Sequence, residues 1–146
     1  MNRKDFIKTC GGACLGVIGL GLLVESCKPM QYAQGTIVNN QLQINKSNFI
    51  ISKEDKISYR RSVIVKSENL DFPIVVYRFS ETEYSALLLK CSHQGSELSA
   101  NGDILTCASH GSEFSNKGIP LQGPADQNLQ SFKVTTDETN IFIQLT

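Results

Sequence analysis

The sequence predicts an all-β domain, and three observations predict it. After Thr36 the apolar residues come in short runs dominated by β-branched and aromatic side chains, turn residues separate those runs, and no stretch beyond residue 35 repeats apolar residues at helical spacing. The chain's 146 residues fall within the range of one domain. Its 14 basic and 14 acidic residues balance, so no basic field points to nucleic acid.

The chain is read in three parts: 1–26 as a signal peptide, 27–35 as a tether and 36–146 as the folded domain. Arg3, Lys4 and Lys8 form a basic start, and Thr9 to Val24 carries no charge and is largely apolar. That run is shorter than the roughly 20 residues a spanning helix needs, and Gly11, Gly12, Gly16, Gly19 and Gly21 weaken a helix. A cleaved signal is the expectation, with a short retained anchor as the alternative. Arg3-Lys4-Asp5-Phe6-Ile7-Lys8 resembles a twin-arginine export signal with Lys4 in the place of the second arginine. Val24-Glu25-Ser26-Cys27 resembles a lipobox, in which Cys27 would be lipidated, although Glu25 is atypical there. The expected location is therefore a bacterial periplasm or cell envelope, with the protein tethered to the membrane. Removing residues 1–26 leaves 11 basic and 12 acidic residues, so charge names no partner for the mature part.

Lys28 to Gly35 is polar and includes Pro29, as a linker does; extended, its eight residues reach at most about 28 Å. Gln41-Leu42-Gln43-Ile44 alternates like a half-buried strand. Ser62 to Lys66, Pro73 to Tyr77 and Ala86 to Leu89 are apolar runs of strand length, as are Ser131 to Val134 and Asn140 to Leu145. Glu97 to Thr106 reads as a hairpin turning at Asn101-Gly102, the strongest hairpin signal in the chain. Asn116-Lys117-Gly118 and Asp137 to Asn140 mark further turns.

The chemistry lies in Cys91-Ser92-His93 and Cys107-Ala108-Ser109-His110. These hold both histidines of the chain and both cysteines that follow Cys27. A thiolate and an imidazole two or three residues apart can reach one small cofactor together, and the hairpin between the pairs would return the second beside the first. Two cysteines and two histidines also suit tetrahedral zinc. Common zinc modules, however, pair Cys with Cys and His with His, whereas here each segment supplies one of each. That order suits a two-iron cluster with both cysteines on one iron and both histidines on the other. If the site holds metal, no cysteine is left for a disulfide in the folded domain, which must be stable through its core alone.

Cys91 to Leu129 resembles the cluster-binding region of Rieske proteins, in the branch of the iron–sulfur subunits of cytochrome bc complexes and arsenite oxidase. Gly95 matches the glycine of the first ligand loop. His110-Gly111-Ser112-Glu113-Phe114 matches the family's His-Gly-Ser-x-aromatic run, and Gly123-Pro124-Ala125 with Asn128-Leu129 matches its proline loop. The resemblance implies a stack of small antiparallel sheets with a cluster-binding subdomain, at about 91–129, of two ligand loops and a proline loop. It implies one 2Fe–2S cluster per chain, bound by Cys91, His93, Cys107 and His110, with Ser112, Phe114, Gly123 and Pro124 around it. It also implies one-electron transfer, with a potential that falls with pH once a ligating histidine ionises.

The departures are informative. A disulfide that joins the ligand loops in the quinol-oxidising branch would fall at Ser96 and Ser109. Phe114 stands where high-potential members have a tyrosine hydroxyl, and Gln94 where a leucine shields the cluster. Fewer donors to sulfur imply a potential below the top of the Rieske range of about −150 to +300 mV. The implied partners are a cytochrome or a larger oxidoreductase subunit, with quinol as a candidate donor, as in a quinol–cytochrome c reductase. The alternatives are a stand-alone lipoprotein acting as an electron shuttle or redox sensor, and a zinc-stabilised binding module. The chain is too short to include an oxygenase's mononuclear-iron domain as well.

Overall fold

The computed structural model describes residues 32–145; the expected signal peptide, most of the expected tether and Cys27 lie outside them. In chain order the strands are β1 (Tyr32–Gln34), β2 (Thr36–Val38), β3 (Gln41–Asn45), β4 (Ile50–Lys53), β5 (Lys56–Tyr59), β6 (Ser62–Lys66), β7 (Ile74–Arg78) and β8 (Tyr84–Leu88). There follow β9 (Ser99–Asn101), β10 (Ile104–Thr106), β11 (Glu113–Ser115), β12 (Pro120–Gln122), β13 (Ser131–Phe132), β14 (Val134–Thr136) and β15 (Asn140–Gln144). One 3₁₀ turn, Lys46–Phe49, leads from β3 to β4, and Asn45 caps it by accepting from Ser47 N–H at 2.8 Å. The domain is nearly all β, as the sequence predicts, and among the described residues no helix is long and apolar enough to cross a membrane.

A central five-stranded sheet, β1-β6-β7-β8-β13, lies between two four-stranded sheets, and β4-β5 forms a separate ribbon. The central sheet is buried on both faces, which explains why its strands are continuous apolar runs and not alternating ones. Val63, Val65, Ile74 and Val76 pack with Leu42, Ile44, Ile141 and Ile143 of the sheet β14-β15-β3-β2. On the other face Ile64, Val75, Tyr77 and Leu87 pack with Ala100, Leu105 and Phe114 of the sheet β12-β11-β10-β9. β3 and β15 bury one face only, and alternate accordingly.

Several elements differ from the sequence expectation. Tyr32–Gln34, assigned to the tether, is a strand: Ala33 is buried and β1 pairs with β6, in parallel, within otherwise antiparallel sheets. The β9–β10 turn is Gly102-Asp103, one residue later than expected, because Asn101 pairs with Ile104 and so ends the strand. Ser131 to Val134 is not one strand. The chain leaves the central sheet at Phe132 and joins β15 at Val134, with Lys133 O accepting from Gln144 N–H between them. β2, β4, β5, β11 and β12 are short or polar enough to show no clear period.

Candidate metal centre

The two segments that carry the candidate ligands fold into loops with one shared hydrogen-bond pattern. In the first, Cys91 N–H donates to Ser96 O at 2.8 Å and Gly95 N–H to Cys91 O at 2.9 Å. In the second, Cys107 N–H donates to Ser112 O at 2.8 Å and Gly111 N–H to Cys107 O at 2.9 Å. Each cysteine thus closes its loop with both of its backbone groups. The residue that turns the chain back is a glycine at φ 75° or 77°, where a side chain would be strained. The offset of the histidines, third residue in one loop and fourth in the other, brings the rings together with centroids 4.9 Å apart and planes at 85°.

The donors are sorted by element and by exposure. Cys91 and Cys107 are 2 % exposed, carry free thiols and belong to the core beneath β9–β11, whereas His93 and His110 are exposed. The Cys107 thiol lies below the ordinary cysteine value. Burial pushes it up, but the backbone N–H groups of Ser109 and His110 and the side chains of Cys91 and Ser109 hydrogen-bond to its sulfur and outweigh that. The Cys91 side chain thus lies beside the Cys107 sulfur, whose own setting favours thiolate, as a metal ligand needs. Among the described residues no three His, Cys, Asp or Glu side chains converge on a point as one metal ion requires. The donors form a sulfur pair and an imidazole pair, an arrangement that a two-iron cluster can span.

The surrounding residues tie three segments together. Ser109 Oγ and Ser96 Oγ are 2.9 Å apart, so a hydroxyl hydrogen bond joins the ligand loops where the resemblance would put a disulfide. Ser109 Oγ is the donor in that bond and Ser96 Oγ the acceptor. Ser112, the one fully buried polar residue among those described, accepts from Ala125 N–H at 3.0 Å. Its hydroxyl proton remains for a second partner. Ser92 Oγ donates to Gln127 O at 2.7 Å, and Gln122 Nε2 to Gly111 O at 3.0 Å. The segment that begins at Gly123 and Pro124, whose peptide bond is cis, is thus fastened to both ligand loops. Phe114 is fully buried beside Leu105, a core position. Sequence reasoning missed Ser92, Gln122 and Gln127, because a hydroxyl or amide that reaches a carbonyl far along the chain leaves no local signal. A groove beside the first loop is lined by Lys90, Ser92, His93, Gln94, Asn128 and Gln130.

The family model described as "Rieske [2Fe-2S] domain" matches residues 47–133. No curated protein is similar to the chain. Among solved structures, naphthalene 1,2-dioxygenase with indole bound is 18 % identical at a TM-score of 0.54, and the match covers 73 % of this chain and 26 % of that one. The plasma membrane Rieske protein PetC3 of Synechocystis PCC 6803 is 23 % identical at a TM-score of 0.49, covering 57 % and 85 %. The Sphingomonas yanoikuyae B1 ferredoxin is 23 % identical at 0.45, covering 57 % and 84 %.

Proposed function

The chain belongs to the Rieske [2Fe–2S] family, and from that premise we propose that Cys91 and Cys107 hold one iron of its cluster, and His93 and His110 the other. Family membership carries the cofactor and its use in electron transfer. The observation that carries the ligand assignment is the pairing of two buried sulfurs with two exposed imidazoles at one end of the domain. The donor set is of the right kind and number for this group, and Ser112, with a buried and uncommitted hydroxyl proton, is a further fit.

When bound, the cluster supplies a one-electron couple at the surface of the domain. The residues do the rest. Cys91 and Cys107 keep the sulfur side dry within the core, and His93 and His110 give the route to the outside. An imidazole that ligates through one nitrogen leaves the other to hold or release a proton, so the potential falls as pH rises past that ionisation. Ser112, buried and accepting only from Ala125 N–H, would have a hydroxyl proton to offer the group, whereas Phe114 has none. The expected potential is therefore below the top of the Rieske range, about +300 mV.

In this reading residues 1–26 are an export signal and Cys27 a lipidated tether. The domain serves a membrane-associated or periplasmic oxidoreductase, of the quinol–cytochrome c reductase kind, and passes electrons to a cytochrome or larger subunit. The test is the EPR spectrum of the dithionite-reduced full chain. A rhombic signal with average g below the free-electron value is expected, and it should be lost in Cys107→Ser. A colourless, EPR-silent chain holding one zinc would overturn the assignment.

A further inference from the structure

The described residues contain two cysteines, Cys91 and Cys107, and the fold sets them side by side. Both are buried in one core cluster, and the Cys91 side chain hydrogen-bonds to the Cys107 sulfur. Each opens its own ligand loop, with its backbone N–H and C=O fixed inside that loop. Between the loops there is no covalent link, only the hydroxyl pair of Ser109 and Ser96. When a cluster is bound, both sulfurs are committed to iron. Without it they are two thiols in contact. Closing a disulfide of about 2.0 Å then takes a shift of side chains on loops that no crosslink restrains.

The two thiols are not equally open. The groove beside the first loop, about 490 Å³, is lined by Cys91 with Lys90, His93, Gln94, Asn128 and Gln130, and Cys107 does not line it. Its wall offers one cation and three amides, which suit a small peptide bearing carboxylates. A disulfide of that kind entering the groove meets the Cys91 sulfur first.

We propose that in the cluster-free chain Cys91 and Cys107 form a redox gate, in which an incoming disulfide oxidises Cys91, Cys107 resolves the adduct, and the Cys91–Cys107 disulfide excludes iron until it is reduced. The inference rests on the ligand assignment above. In the first step the Cys91 sulfur attacks one sulfur of the oxidant, whose other half leaves as a thiol, and a mixed disulfide forms. In the second step the Cys107 sulfur attacks Cys91, and the bound half leaves as a second thiol. Two protein thiols lose two electrons, one external disulfide gains them, and the two protein protons end on the released thiols. A sulfur held in a disulfide has no thiolate to give to a metal, and a thiol reductant restores it. A chain that reached an oxidising compartment empty would be closed, so the cluster has to be installed before that point.

The test uses the full chain, loaded with its cluster and then stripped by a chelator under anaerobic conditions, with released iron and sulfide counted. Oxidised glutathione is added, and peptide mapping by mass spectrometry keeps Cys10, Cys14 and Cys27 apart from the pair. A Cys91–Cys107 disulfide is expected in stripped protein and none in loaded protein. Uptake of iron and sulfide should be lost on oxidation and recovered with dithiothreitol. In Cys107→Ser, purified empty, a lasting glutathione adduct should form at Cys91. In Cys91→Ser the adduct at Cys107 should form roughly tenfold more slowly, since access limits the exchange. Equal rates at the two cysteines, whether from equal access or from loops that have opened, overturn the assigned roles. Thiols that stay free, that pair only with Cys27 or another chain, or an oxidised chain that still takes up iron, overturn the gate. If stripping releases no iron, or loaded protein gains an adduct at Cys91 with its cluster intact, the ligand assignment itself fails.

Discussion

Two single residues show how much the domain asks of one polar group. Ser112 is fully buried, and its Oγ accepts from Ala125 N–H. Ser112→Ala leaves that amide without a partner, at a cost of about 1–3 kcal/mol. It also removes a hydroxyl proton from the cluster's surroundings, so the midpoint potential should fall while the EPR line shape persists; an unchanged potential in a redox titration would refute its role as a donor. Asp137 acts by charge. It accepts from the backbone N–H groups of Asn140 and Thr139 at 2.6 and 2.8 Å, and these hold its carboxyl below the ordinary value. A carboxylate with a depressed folded value contributes stability that is present above its unfolded value of about 4 and is lost as pH falls through the lower folded one. The stability gap between wild type and Asp137→Ala should therefore be open at neutral pH and close in acid. A gap that stays constant from pH 7 down to strong acid would show that the hydrogen bonds matter without the charge.

At the scale of elements, the ligand loops are braced by single hydrogen bonds where the related branch has a covalent link. Ser96→Ala removes the bond to Ser109 and should lower stability by about 1 kcal/mol in anaerobic urea denaturation. It should leave iron content unchanged, because the backbone of the first loop closes independently through Cys91 and Gly95. No change in the urea midpoint would show that the hydroxyl pair carries no load. The same scale explains what the sequence revealed. Gln41 to Ile44 and Ile141 to Ile143 alternate because one face meets the core, and Ile74 to Tyr77 runs unbroken because both faces do. The β4–β5 ribbon shows no period because every residue in it except Ile51 is exposed. Tyr32–Gln34 escaped notice because one buried alanine in three residues is no pattern. The four candidate ligands were legible as residue types at a spacing. The bonds from Ser92 and Gln122 were not, since they depend on which carbonyl the fold brings near.

For the whole molecule the division into two cores matters most. The core of Leu42, Ile44, Val63, Val65, Ile141 and Ile143 contains no candidate ligand. The other places Cys91 and Cys107 among Leu98, Leu105, Phe114 and Leu129, so metal loss would put two thiols, and the loops they anchor, at the margin of a packed interior. Ligand binding stabilises the state that holds the ligand, and local opening follows local contact density. In cluster-free protein, amide exchange should therefore quicken across residues 91–112 and 123–129. β3, β6, β7 and β15 should keep most of their protection, because the first core and its ladders do not involve the ligands. Hydrogen exchange with mass spectrometry on holo and iron-stripped full chain separates the possibilities. A uniform loss of protection would mean that the cluster holds the entire domain together. Selective loss near the ligand loops would mean that the fold comes first and presents two nearly finished loops to the incoming metal.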